Sequence, residues 1–309
     1  MILTLTPNTA IDRVLILPRL IPNRTLRASA ENFSPTGKGV VAAVALADMG
    51  YAVTAMGFAA GIVGERLTRM VVAHGVCPRF NACEGETRVN VVIVGEADQS
   101  FTTITCESLR VTPTHEQALM QALEAALPSA RCLVLGGSLP PGCSTSLYAR
   151  AIALARRHQV FTILDASGEA LRHALPAQPD WVKPNRDELA QIVQREVRDV
   201  AAAIAAAREV RARFGVNVLA SLGEEGAVAL TEQGVWRAWP VPVQPRNTAG
   251  AGDAMVGGLA AGLANQMPLE DTLRLSVAMA TAAVLQLSTA GIDPADVVRL
   301  RPLVRVERC

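Results

Sequence analysis

Short apolar runs alternate with helical patterns along most of this chain, and that alternation limits the fold more than any single motif does. ILTLT (2–6), AVTAMGF (52–58), RCLVLGG (131–137), VFTILD (160–165) and VNVLASLG (216–223) read as strands. Segments 38–49, 63–74, 147–158 and 199–214 carry helical patterns between them, and 252–264 and 269–287 close the chain as helices. A strand that is apolar on both faces must be covered on both faces. The pattern therefore predicts an α/β fold of three layers, α/β/α, around a mostly parallel central sheet. Ligands of such sheets collect at the carboxyl ends of the strands.

Two stretches break the rhythm. Lid strands are expected within 12–33 and 87–106, where apolar and polar residues alternate as in half-exposed antiparallel strands. The second stretch predicts a hairpin turning near 95–99. A small β-sheet lid and a set of ordinary edge strands of the main sheet fit this pattern equally well.

Composition narrows the function classes. Lys+Arg number 29 and Asp+Glu 28, a net charge of +1, which argues against a nucleic-acid partner. Half the residues are hydrophobic, enough for a large core. The length of 309 residues suits one large domain or two small ones, and with no linker in view the expected organisation is a single domain over 1–309. Six cysteines with no C-x-x-C pair read as free thiols in a reducing cytoplasm. The N-terminus shows no secretory pattern. The uncharged run 275–292 is rich in alanine and includes Ser276, Thr281, Ser288 and Thr289, so it reads as a buried helix and not a membrane span. Only Lys38 and Lys183 are lysine. An ammonium is a compact point charge that a guanidinium does not replace, so both positions attract notice.

The most informative segment is Asn247-Thr248-Ala249-Gly250-Ala251-Gly252-Asp253, between a strand-like run (236–243) and an apolar helix. Small residues before a helix let backbone N–H groups converge on an anion. Asp253 in the first turn suits a general base beside a phosphate. A glycine-rich turn with an acidic first helical residue fits these residues equally well.

The other motifs shift that balance. NTAGAGD stands in order after TGKG (36–39), GETRVNV (85–91), GGSLPPG (136–142), LDASGEAL (164–171), VKPNRDEL (182–189) and SLGEEGA (221–227). This series resembles the ribokinase-like, phosphofructokinase-B type carbohydrate kinases over nearly the whole chain. Its closest likeness is to the branch of 1-phosphofructokinases and tagatose-6-phosphate kinases. The resemblance implies a ribokinase-like fold with a β lid and transfer of the γ-phosphoryl group of ATP, with Mg2+, to a sugar phosphate. Fructose 1-phosphate phosphorylated at O6 is the first expectation. Tagatose-6-phosphate kinase and 6-phosphofructokinase are the alternatives, and a catalytically silent sugar-phosphate sensor is the alternative of another class.

By that resemblance Asp253 is the catalytic base, and the backbone of Ala249 to Gly252, with Gly250, Ala251 and Gly252 at its centre, is the anion hole. Lys183, Ser221, Gly223, Gly226 and Thr248 are expected on the nucleotide. Asn185 and Glu188 match an N-x-x-E motif that holds magnesium through water, and the same spacing makes a helix capping box. Asp12, Gly37 and Gly39 are expected on the sugar. Lys38 and Arg88 would clamp the phosphate the sugar already carries, with Arg27 a weaker candidate. Ser138 reads as a turn hydroxyl. One departure stands out: Val41 occupies the place where the family's usual asparagine contacts sugar. A homodimer through the lid is the expected assembly.

Overall fold

The computed structural model describes residues 1–98, 100–107 and 109–309. Among them, ten strands form one large sheet. Their order is Arg305–Arg308, Gly234–Trp239, Ala227–Thr231, Asn217–Ser221, Trp181–Val182, Phe161–Asp165, Cys132–Gly136, Ile2–Thr6, Val53–Ala59 and Cys77–Ala82. The seven strands from Asn217–Ser221 to Cys77–Ala82 are parallel, and the other three add antiparallel at one edge.

Side chains alternate across this sheet and fill two cores. Leu3, Leu5, Leu133 and Leu135 face one layer, with Leu119 and Leu123 of helix Pro113–Ala126 and Leu147, Ile152 and Leu154 of helix Leu147–Arg157. Ile2, Cys132 and Val134 face the other, against helices Lys38–Asp48, Ala251–Ala264 and Leu269–Val284. The three-layer arrangement expected from the strand pattern is thus the observed one.

A separate four-stranded sheet orders Ala30–Thr36, Ala10–Leu17, Arg88–Gly95 and Ser100–Ile104. Of the two arrangements the alternation allowed, the independent lid is the observed one. Its first strand begins at Ala10 and its second ends at Thr36, wider than the expected span. Gly95 pairs with Ser100, while Gln99 of the predicted hairpin turn lies outside the described residues.

Two element ends differ from expectation. The strand read over 236–243 stops at Trp239, because Pro240, Pro242 and Pro245 remove ladder donors. The helix read over 269–287 ends at Val284, so the uncharged run 275–292 is part helix and part irregular chain. No helix of the described residues is long and apolar enough to cross a membrane.

Leu133 is fully buried in the middle of the parallel strands. Replacing it with alanine removes buried surface and leaves a cavity, so Leu133→Ala is expected to lower unfolding free energy by about 2–5 kcal/mol in urea titration.

Candidate active site

A cavity of about 950 Å3 opens at the carboxyl ends of the parallel strands. Its wall includes Lys183, Asn185, Ser221, Gly223, Gly226, Thr248 and the turn from Gly250 to Asp253. All the residues expected on the nucleotide thus line one space, except Glu188, which is buried behind Asn185.

The turn is built from Asn247. Its Nδ2 donates to the Leu287 carbonyl at 3.0 Å, and its Oδ1 accepts the Ala249 N–H at 3.0 Å. Gly250 follows with φ +80°, and a Cβ there would collide with the Thr289 carbonyl. Only glycine takes both the left-handed conformation and that contact. Helix Ala251–Ala264 then starts, and the first N–H groups of a helix have no partner inside it. They point at the cavity with the positive end of the helix dipole. The Ala249 N–H is already committed to Asn247. The unpartnered amides of this turn therefore begin at Gly250, one residue after Ala249.

Asp253 is not an isolated carboxylate, although it reads as one in sequence. Asp165 ends strand Phe161–Asp165 and is buried between two lysines. Lys38 Nζ donates to Asp165 Oδ1 at 2.8 Å and to Glu188 Oε1 at 3.0 Å. Lys183 Nζ stands 3.4 Å from Asp165 Oδ2. Burial pushes the Asp253 carboxyl up to about 7. Asp165 and Glu188 push the same way, and Lys38 and Lys183 pull against them. Burial alone would lower the Lys38 pKa, but Asp165, Glu188 and Asp253 outweigh it and raise it.

The structure places Lys38 in the Asp253 cluster. Its ammonium is held by two carboxylates there, and it lines the large cavity. The reason is local: Gly37 and Gly39 press against Thr6, where a Cβ would come within 2.7 Å of Cγ2 and 2.5 Å of Oγ1 respectively. That packing starts helix Lys38–Asp48 beside the strand ends that carry Asp165. The two glycines thus serve packing against Thr6 as well as any ligand.

Asn185 and Glu188 form the capping box. Asn185 Oδ1 accepts the Glu188 N–H at 2.8 Å, and Glu188 Oε2 accepts the Asn185 N–H at 2.9 Å. With Oε1 on Lys38, both Glu188 oxygens are engaged. No group of three His, Cys, Asp or Glu among the described residues is arranged to hold a metal ion.

Of the residues expected on the sugar, Asp12 and Arg88 lie on the lid and do not line this cavity, while Gly37 and Gly39 stand at the opening of helix Lys38–Asp48. Asp12 is buried, and its Oδ1 accepts Asn90 Nδ2 at 2.8 Å. Arg88 stands two residues before Asn90 on the same strand face, with an Nε that has no partner. Burial lowers its pKa against the opposing charges of Asp12 and Glu107. Asn8 Nδ2 donates to Ser138 Oγ at 3.0 Å. Arg27 sits exposed in the loop before Ala30–Thr36. Val41 is buried with its Cγ1 against the Gly250 turn, so no polar atom fills that place.

Two members of these clusters were missed in the sequence reading. Asp165 was visible as an acid ending a buried strand, and Asn90 alternates with Arg88 along the lid strand. Neither position was given a role.

Residues 6–296 match the pfkB family carbohydrate kinases. The chain belongs to that family. It is a sugar kinase, a phosphotransferase with an alcohol acceptor, and the family implies use of ATP. It is 34% identical over 289 residues to 1-phosphofructokinase of Escherichia coli (strain K12), covering 94% of this chain and 92% of that one. It is 33% identical over 291 residues to ATP-dependent 6-phosphofructokinase isozyme 2 of the same organism, covering 93% and 94%. The structure of phosphofructokinase-2 from Escherichia coli in complex with fructose-6-phosphate superposes with a TM-score of 0.87, 30% identity and 98% coverage of each chain.

Gly250→Ala would force a left-handed alanine into the Thr289 carbonyl. The kinase is expected to lose about 1–3 kcal/mol of stability and at least tenfold in kcat, checked by thermal melts and ATP turnover.

Proposed function

We propose that this kinase transfers the γ-phosphoryl group of ATP to the C6 hydroxyl of fructose 1-phosphate, giving fructose 1,6-bisphosphate and ADP. The observation that carries this reading is Asp253, a carboxyl poised near neutrality at the opening of helix Ala251–Ala264. Asp253 takes the proton from the sugar hydroxyl as its oxygen bonds to the γ-phosphorus. The bond from that phosphorus to the bridging oxygen breaks, and ADP leaves with the electron pair. The free amides from Gly250 to Gly252 face the equatorial oxygens of the moving group. Lys183 lies beside Gly252 and adds positive charge at that point.

Mg2+ enters with the nucleotide, as substrate. Glu188 and Asn185 have their oxygens engaged by Lys38 and by the capping box, so they would hold the ion through water. Magnesium favours this arrangement, because it keeps several waters when bound to phosphates. Thr248, Ser221, Gly223 and Gly226 form the nucleotide wall.

The sugar end rests on Asp12 for hydroxyls and Arg88 for the existing phosphate. Fructose carries a hydroxymethyl at each end of its furanose ring, so fructose 1-phosphate attacked through O6 and fructose 6-phosphate attacked through O1 give one product. The near-equal likeness to a 1-phosphofructokinase and a 6-phosphofructokinase keeps fructose 6-phosphate as the second reading. We place the reaction in the cytoplasm, where ATP is made and where six unpaired cysteines persist. A homodimer through the lid is supported by Phe101 and Ile104, exposed on strand Ser100–Ile104.

ADP release is the direct test, with fructose 1-phosphate, fructose 6-phosphate and tagatose 6-phosphate compared. Fructose 1-phosphate should show the highest kcat/KM. A higher value for either other sugar phosphate moves the assignment, and tight binding without turnover of any would make the protein a sensor.

The base must be ionised, so kcat/KM should rise with pH through about 7 and then level. Lys38 pulls the Asp253 pKa down, so Lys38→Met should move that limb upward by about one unit. A limb that stays in place removes Lys38 from the electrostatics of the base.

Asp253→Asn should cost roughly 10²–10⁴-fold in kcat. Its effect on stability has the opposite sign. A carboxyl whose folded pKa lies above its unfolded value binds more protons when native, so it loses stability as pH rises from about 4 to about 7. The neutral amide escapes that loss, and Asp253→Asn should melt about 2–5 °C higher at pH 8.

A further inference from the structure

Three lid residues form one straight polar row. Asn90 and Ser34 are each register partners of Asp12, on the strands to either side of it. Directly opposed side chains share a face and lie about 5 Å apart at Cβ. All three are buried, and Ser34 is fully so. Asn90 Nδ2 holds Asp12 at one end of the row. Ser34, at the other end, does not bond within the lid.

Ser34 reaches the segment after helix Leu269–Val284. Its Oγ lies 2.6 Å from Ser288 Oγ and accepts the Thr289 N–H at 3.3 Å. The proton on the first bond can be assigned. Ser288 donates its single hydroxyl proton to the Ala290 carbonyl at 2.6 Å, so Ser34 is the donor to Ser288. Ser34 therefore uses both its donor and an acceptor pair on one short segment.

That segment also carries the Gly250 turn. Asn247 holds the Leu287 carbonyl, and the Thr289 carbonyl packs where a Gly250 Cβ would be. Its far end is fixed too: Asp48 Oδ2 accepts the Ile292 N–H at 2.9 Å, while Asp48 Oδ1 lies 3.0 Å from His74 Nδ1. Segment 287–292 thus touches the lid through Ser34 and the anion-binding turn through residues 287 and 289.

From this geometry we infer that Ser34 is a positioning residue, which ties the strand row bearing Asp12 to the turn at Gly250 through segment 287–292. Occupation of Asp12 by a sugar hydroxyl fixes the row. Ser34 carries that constraint to Thr289, and Thr289 holds Gly250 so that the amides of the helix opening face the transferring phosphoryl group. The effect is to favour phosphoryl transfer when the acceptor is seated. The inference rests on the proposed roles of Asp12 and of the Gly250 turn, and it does not depend on which sugar phosphate is bound.

The test is Ser34→Ala in the full chain, read by hydrogen exchange without ligand and by steady-state kinetics. Exchange over 247–253 and 287–292 should quicken by about threefold or more, with helix Lys38–Asp48 unchanged. The kcat for the best of the three sugar phosphates should fall about tenfold, with KM for ATP and sugar within about twofold. Ser288→Ala removes the same bond from the other side, and it keeps the test decisive if Ser34→Ala fails to fold. The double variant should lose no more rate than the worse single one, because the two residues share one bond. Unchanged exchange over 247–253, unchanged kcat, or additive rate losses would each overturn the inference. Turnover of none of the three sugar phosphates by the wild type, with faster exchange over 247–253 in Ser34→Ala, would overturn the substrate reading and leave the mechanical tie standing.

Discussion

Everything at this site depends on the contest between carboxylates and lysines around Asp165. Three acids, Asp165, Glu188 and Asp253, face two ammonium groups, Lys38 and Lys183. Burial makes each uncompensated charge expensive. Lys38 answers Asp165 and Glu188 directly, which leaves Asp253 the least compensated of the three. Burial together with Asp165 raises its carboxyl toward neutrality. A base with a pKa near the working pH combines adequate strength with a useful ionised fraction, whereas an ordinary carboxylate would be mostly ionised but weak. In the proposed mechanism the strength of the base belongs to the cluster more than to the residue.

The parallel sheet makes that cluster buildable. Asp165 ends a strand, Lys183 follows the two-residue strand Trp181–Val182, and Lys38 and Asp253 open helices. Each group is placed at the end of a strand or in the first turn of a helix, so their separations are set by regular elements. The same geometry directs helix openings at the strand ends, where an anion gains from unpaired amides. Positioning and charge neutralisation are most of what phosphoryl transfer asks of a protein.

Much of this was legible in the sequence, for reasons that can be stated. The buried strands and their helices announced themselves because parallel strands are apolar on both faces. The cap at Asn185 and the turn before Asp253 are local, so short motifs encode them. What stayed hidden is non-local. Lys38 and Asp165 are 127 residues apart, and nothing in either motif says they share a proton bond. The same holds for Ser34 and Ser288, separated by 254 positions. Strand Cys77–Ala82 was unread for a different reason: at the sheet edge it mixes Pro78, Arg79 and Asn81 with apolar residues, so the buried-strand pattern is absent. Helix Pro113–Ala126 has a sound capping signal at Thr112 and His115, but histidine is an unusual third-position partner for such a box.

Two parts of the kinase carry different information. In the proposed reaction the end with Asp253, Lys183 and the helix amides handles phosphate and is indifferent to the sugar. Discrimination between ketohexose phosphates falls to the lid, because a pseudo-symmetric furanose offers an anion at one end and a hydroxymethyl at the other whichever way it lies. The Asp12–Asn90 pair fixes one amide orientation: one Nδ2 hydrogen goes to Asp12, which leaves the second Nδ2 hydrogen and Oδ1, which has no partner among the described residues, for a ligand. A pair that offers both acceptors and a donor can bind a hydroxyl either way round and does not by itself sense which carbon bears it. Val41 gives no polar contact on the facing wall, and it packs against Gly250. In the proposed reaction, selectivity would then come from where Arg88 anchors the phosphate, since that distance sets which hydroxymethyl reaches Asp253.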